Sequence, residues 1–136
     1  MINNELLFDK LKEARKLSYS PYSHFSVGAV VLTKNGEFIL GANIENAAYS
    51  LCLCAERNAI FQAYLKGYKK QDIELIGVFA NSDDFVSPCG SCRQVMAELL
   101  SLDTKVYLYN SKGEFKALTV EQLIPFSFSG DFLKWK

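Results

Sequence analysis

Residues 25–44, FSVGAVVLTKNGEFILGANI, decide how the chain begins to fold. From Phe25 to Thr33 the run is almost continuously apolar, which suits a strand covered on both faces rather than one wetted on one side. Asn35-Gly36 follows, and with apolar segments on either side this pair signals a hairpin. GEFILGANI, residues 36–44, should therefore return antiparallel to the first strand.

Upstream, residues 4–18, NELLFDKLKEARKLS, place Leu7, Leu11, Ala14 and Leu17 at helical spacing with lysines and glutamates opposite them, the pattern of an amphipathic helix. Downstream the grammar changes to alternation. A helix from about Cys54 to Tyr68 leads to the apolar strand IELIGVFAN, a loop SDDFVSP, a helix from about Cys89 to Leu100 and the strand KVYLYN. Helices between apolar strands are crossovers, which are right-handed and make parallel neighbours. NSKGE reads as a second hairpin turn into a short strand around Phe115, and Thr119-Val120-Glu121-Gln122 fits a capping box before a helical turn. The fold class is α/β: a mixed five-stranded sheet with helices on both faces, in one domain over residues 1–136.

Composition excludes several functions. The chain is 49% hydrophobic and 22% charged, enough for a core of its own. Fifteen basic and fifteen acidic side chains cancel, so a phosphate-backbone binder is disfavoured and nucleic acid is not the expected partner. No apolar run is long enough to cross a membrane, and the N-terminal segment does not read as a signal peptide, so a cytoplasmic protein without a membrane partner is expected. In that setting Cys52, Cys54, Cys89 and Cys92 point to metal binding or catalysis rather than disulfides.

Pro88-Cys89-Gly90-Ser91-Cys92 puts two thiols at i and i+3 at a helix start, on one face, where both can reach one ion. Cys54 also opens a helix. If both helices leave the same edge of the sheet, their N-termini converge, and the partial positive charge there favours thiolates. Three thiolates, Cys54, Cys89 and Cys92, leave one position open on a tetrahedral Zn²⁺, as a catalytic site requires. Glu56 can approach that position only if Cys54 sits at or before the first helical residue. Zinc with three thiolates carries a net charge of about −1, and a guanidinium donating to them would offset part of it, the role assigned to Arg57. The alternative is a closed site in which all four cysteines hold a structural zinc; otherwise Cys52 is a small apolar residue beside the site.

CxE followed by PCxxC resembles the zinc deaminase signature in its three-cysteine form. YSPYSHFSVGAVV, GANIENAAYSLCLCAERNAI, PCGSCRQVMAE and IPFSF are similar, in order and spacing, to the short cytidine deaminases that act on free nucleosides, over about Tyr19 to Phe128. The resemblance implies a three-layer α-β-α fold with strand order 2-1-3-4-5, zinc on Cys54, Cys89 and Cys92, and Glu56 as proton shuttle. It implies that Asn43 and Glu45 hold the ribose, that Phe25 lies beside the pyrimidine, and that Phe128 reaches the base from another subunit of a homotetramer. Phe126 adds a second aromatic, so which ring covers the base stays open between the two. Main-chain amides near Cys54 and Ala55, freed at the helix start, are placed to hold the pyrimidine oxygen. Tyr49 is an interface residue by the same resemblance, and His24, the one histidine, stands outside the metal motif. The expected reaction is hydrolytic deamination of cytidine and 2′-deoxycytidine in pyrimidine salvage. A blasticidin S-type deaminase, which shares the three-cysteine site, is the related alternative.

Overall fold

The computed structural model describes residues 3–133. Helix α1 (Asn4–Arg15) is capped by Asn3, whose side-chain oxygen accepts from the Leu6 N–H, one of the donors a helix start leaves without a partner. The helix ends at Arg15, where the N–H groups of Leu17 and Ser18 turn to carbonyls three residues back. Strands β1 (Val27–Thr33) and β2 (Phe38–Ala42) form the expected antiparallel hairpin, with Val30 opposite Leu40. The Gly36 N–H closes the turn on the Thr33 carbonyl, and Gly36 takes a φ of 93°, a left-handed geometry that favours glycine.

The alternation follows as α2 (Ala55–Leu65), β3 (Ile73–Ala80), α3 (Gly90–Leu99), β4 (Lys105–Tyr109), β5 (Phe115–Thr119) and α4 (Val120–Leu123). The Thr119 capping box is present, its hydroxyl accepting from the Gln122 N–H while the Gln122 side chain accepts from the Thr119 N–H. The strand order is β2-β1-β3-β4-β5. This is the expected order: β1 lies between β2 and β3, antiparallel to both, and the crossover between β3 and β4 makes parallel neighbours. The hairpin leaves β1 with an open edge, and pairing β3 there keeps this apolar strand inside the sheet.

Alternation along the strands divides the core in two. Leu7, Leu11 and Ala14 of α1 pack with Val30, Leu75, Phe79 and Tyr109 on one face; α2, α3 and α4 pack with Ala29, Val31, Ile76, Val78 and Val106 on the other. Each fully buried Leu or Ile stabilises by roughly 1.5–3 kcal/mol before entropy is counted. The helix nearest the hairpin lies directly on backbone, because a Cβ on Gly41 would come within 2.5 Å of the Ala59 nitrogen in α2. The Asn58 side chain donates to the Ala42 carbonyl at 2.9 Å, fixing the start of α2 against the end of β2. Since β2 and β3 run the same way, the N-termini of α2 and α3 meet at one end of the sheet, beyond the carboxyl ends of these strands.

Candidate metal centre and cleft

Cys54 and Cys89 are the N-cap residues of α2 and α3, with extended backbone, and neither side chain is spent on capping its helix. Cys92 lies one turn into α3 and is fully buried. The three sulfurs lie within 4.8 Å of one another, with Cys54 to Cys89 at 3.8 Å and Cys89 to Cys92 at 3.5 Å. These separations are far too long for a disulfide. They match the roughly 3.8 Å between sulfurs that tetrahedral Zn–S bonds of about 2.3 Å demand, so the donor set fits the metal.

Cys52 stands apart from this trio. Among the described residues only Cys54, Cys89 and Cys92 form a group able to hold a metal. The Cys52 sulfur instead accepts from the Asn46 N–H at 3.3 Å and donates to the Asn46 carbonyl at 3.5 Å. The closed four-cysteine arrangement is therefore not the one this geometry favours: the residue two before Cys54 is held in the preceding loop.

The sulfurs and their neighbours are electrostatically coupled. The Cys92 thiol donating to Cys54, with Arg57 beside it, pulls Cys54 down to about 5 despite partial burial. Cys92, the proton holder of the pair, is pushed far up. Arg57 Nη2 donates to the Cys54 sulfur at 3.4 Å, while its buried Nε has no hydrogen-bond partner among the described residues. Glu56, 6% exposed, follows Cys54 by two residues, and burial together with the Cys54 charge lifts its carboxyl to about 7. Because Cys54 is the N-cap, Glu56 sits in the first turn of α2, as its reach toward the sulfurs required.

A cleft of about 240 Å³ opens here, lined by Cys54, Ala55, Glu56 and Cys89 from the starts of α2 and α3 and by Phe25, Asn43 and Glu45 from the segments flanking the hairpin. Asn43 is heavily engaged: its Oδ1 accepts from the Val27 N–H and the Ser18 hydroxyl, and its Nδ2 donates to the Phe25 carbonyl. Glu45 accepts from the N–H groups of Tyr22 and Ser23 and from the Ser23 hydroxyl, contacts that hold its carboxyl below the usual carboxylate range. Phe128 does not line this cleft; it is 55% exposed and stacks on Phe132 at 5.6 Å. Phe126 is fully exposed, with a φ of 53°.

Val78, Val86 and Ser87 also line the cleft and escaped the sequence reading. Val86 and Ser87 stand immediately before Pro88-Cys89, so proximity to the second cysteine cluster was the available signal. Val78 faces the α2 side of β3, and only the register of the sheet places it there.

The model of the cytidine and deoxycytidylate deaminase zinc-binding region matches residues 1–109. A cytidine deaminase of Halalkalibacterium halodurans is 48% identical over 96% of this chain and 97% of its own, and one of Sporosarcina psychrophila is 44% identical over 96% and 95%. The crystal structure of cytidine deaminase from Burkholderia pseudomallei superposes with a TM-score of 0.90 at 39% identity, covering 93% of this chain and all of that one. The chain belongs to the zinc-dependent cytidine deaminase family.

Proposed function

We propose that the protein hydrolyses cytidine and 2′-deoxycytidine to uridine and 2′-deoxyuridine plus ammonia, in pyrimidine salvage. The observation that carries this reading is that one cleft joins the sulfur cluster and Glu56 to Phe25, Asn43 and Glu45. The relatives' names supply the substrate.

Cys54, Cys89 and Cys92 would hold Zn²⁺, which when bound supplies a Lewis acid that lowers the pKa of water. Glu56 does the proton work: with its carboxyl near neutrality it can both take and return a proton at working pH. It takes one from the attacking water and passes it to ring N3, while oxygen bonds to C4. It then moves the water's second proton to the amine, the C4–N4 bond breaks, and ammonia leaves. The free N–H groups at the start of α2, near Ala55, hold the pyrimidine oxygen. Arg57 draws negative charge off Cys54. Phe25 lies beside the base, and Asn43 and Glu45 present an amide and a carboxylate to the sugar hydroxyls that cytidine and 2′-deoxycytidine share, so analogues lacking the 3′-hydroxyl bind poorly.

The assembly is a homotetramer in which Phe128 of one subunit completes the cleft of another; its exposure and its absence from its own cleft support this. One deaminase domain spans residues 1–136 and acts in the cytoplasm. Among the described residues no helix is long and apolar enough to cross a membrane. Zinc content and the fall in cytidine absorbance on pure protein test the proposal together. Turnover of blasticidin S without turnover of cytidine would overturn it.

A further inference from the structure

Arg93 follows Cys92 directly, and its guanidinium reaches three acceptors in two separate segments. Nε donates to the Pro88 carbonyl at 2.8 Å, Nη1 donates to the Leu123 carbonyl at 2.7 Å, and Nη2 donates to the Ser87 hydroxyl. Pro88 precedes the N-cap Cys89, so its carbonyl lies outside the helix and has no partner within it. Leu123 ends α4, and its carbonyl is likewise one that a helix end leaves open. The next side chain, Gln94, donates to the Phe128 carbonyl at 3.1 Å. Two consecutive residues of α3 thus grip the loop that delivers Cys89 and the C-terminal segment that carries Phe126 and Phe128.

We infer that Arg93 is a positioning residue that locks the metal-holding loop to the C-terminal aromatic segment, so that metal affinity and substrate affinity depend on one side chain. Charge alone does not explain the choice of residue. The acceptors are two carbonyls and a hydroxyl lying in different directions, which a planar fork of five N–H groups satisfies and a single ammonium cannot. With Arg93 in place, Pro88 and Ser87 are held at fixed distance from α4, and Cys89 inherits that position. The aromatic segment is fixed at both ends of its approach, at Leu123 by Arg93 and at Phe128 by Gln94. The substrate half of this inference rests on the deaminase reading; the metal half does not.

The test compares wild-type protein with Arg93→Lys and Gln94→Ala, by zinc competition against a chromogenic chelator, by kcat and KM for cytidine, and by thermal unfolding. Arg93→Lys should fold, lose about 10- to 100-fold in zinc affinity and raise KM. Gln94→Ala, which releases Phe128 alone, should raise KM severalfold while binding zinc as wild type does. Wild-type zinc affinity and wild-type KM in folded Arg93→Lys, with only a lower melting temperature, would overturn the inference. Should Arg93→Lys not fold, zinc competition on Ser87→Ala decides: weaker binding supports the linkage and unchanged binding overturns it. If wild-type protein leaves cytidine untouched, the deaminase reading falls, while the chelator competition still decides the metal half.

Discussion

The two ends of the cleft are built on different principles. At the metal end the sulfurs stand on the first residues of two helices packed on the sheet, and the backbone of α2 and α3 places them. At the part proposed for the sugar, the sugar end, Phe25, Asn43 and Glu45 lie outside the strands, and their own hydrogen bonds set their positions: Asn43 ties Phe25 and Val27 together, and Glu45 holds Tyr22 and Ser23. Chemistry and architecture are therefore separable at the metal end and entangled at the sugar end. A substitution at the first should change rate without changing shape; one at the second should change both.

Glu56→Gln is the largest expected effect and the sharpest test of that separation. The amide keeps the size and burial of the carboxyl but cannot shuttle a proton, so kcat/KM should fall by about 10²- to 10⁴-fold, with zinc content and the unfolding transition little changed. Near-normal deamination would remove Glu56 from the mechanism. Loss of zinc or fold would show that the metal end is not separable after all.

Asn43→Ala tests the other half. It leaves the Val27 N–H and the Ser18 hydroxyl without their acceptor and the Phe25 carbonyl without its donor. For part-buried groups this should cost about 1–3 kcal/mol of stability and raise KM in the same variant. A higher KM with an unaltered urea midpoint would mean that Asn43 serves the sugar alone.

This division explains what the sequence could disclose. The metal end was legible because cysteine spacing and helix starts are local: Cys54 as N-cap, Glu56 in the first turn and Cys92 one turn into α3 all follow from neighbours in the chain. The hairpin at Asn35-Gly36 and the Thr119 capping box were legible for the same reason. The place of β1 between β2 and β3 was legible only through the family resemblance, because which edge a crossover strand takes is decided by pairing far along the chain. Asn43 and Glu45 were named through family resemblance, yet their work within the chain became visible only once Tyr22, Phe25 and Val27 had been brought beside them. Arg93 looked like any helix arginine until Leu123 returned to meet it.

Within the metal end, Cys54 and Glu56 should oppose each other in the pH dependence of the metal-free protein. Glu56, raised to about 7 by burial, keeps a proton that the unfolded chain loses near 4.5, so its contribution to stability is lost as pH rises through that window. Cys54, lowered to about 5 by the Cys92 thiol and Arg57, sheds a proton the unfolded chain holds to 9.0, so its contribution grows as pH rises above about 5. Between about 5 and about 7 the two nearly cancel, and urea unfolding in the presence of a chelator should give a level profile. Glu56→Gln removes the falling part, so its stability should rise with pH over the same range. A falling profile in that variant would break the coupling.

The smallest expected effect is Cys52→Ala, and it asks where the metal end stops. Cys52 and Cys54 are separated only by Leu53, which bridges to Ile44, yet one sulfur turns back to Asn46 while the other joins Cys89 and Cys92. The bonds to Asn46 are weak sulfur contacts in a loop, and their loss should change stability by no more than about 0.5 kcal/mol. Zinc should remain at one per chain and kcat/KM at the wild-type value, measured by metal analysis and cytidine absorbance. Loss of zinc would mean that the protein fills the fourth position itself, leaving no open coordination for water and ending the catalytic reading of the site.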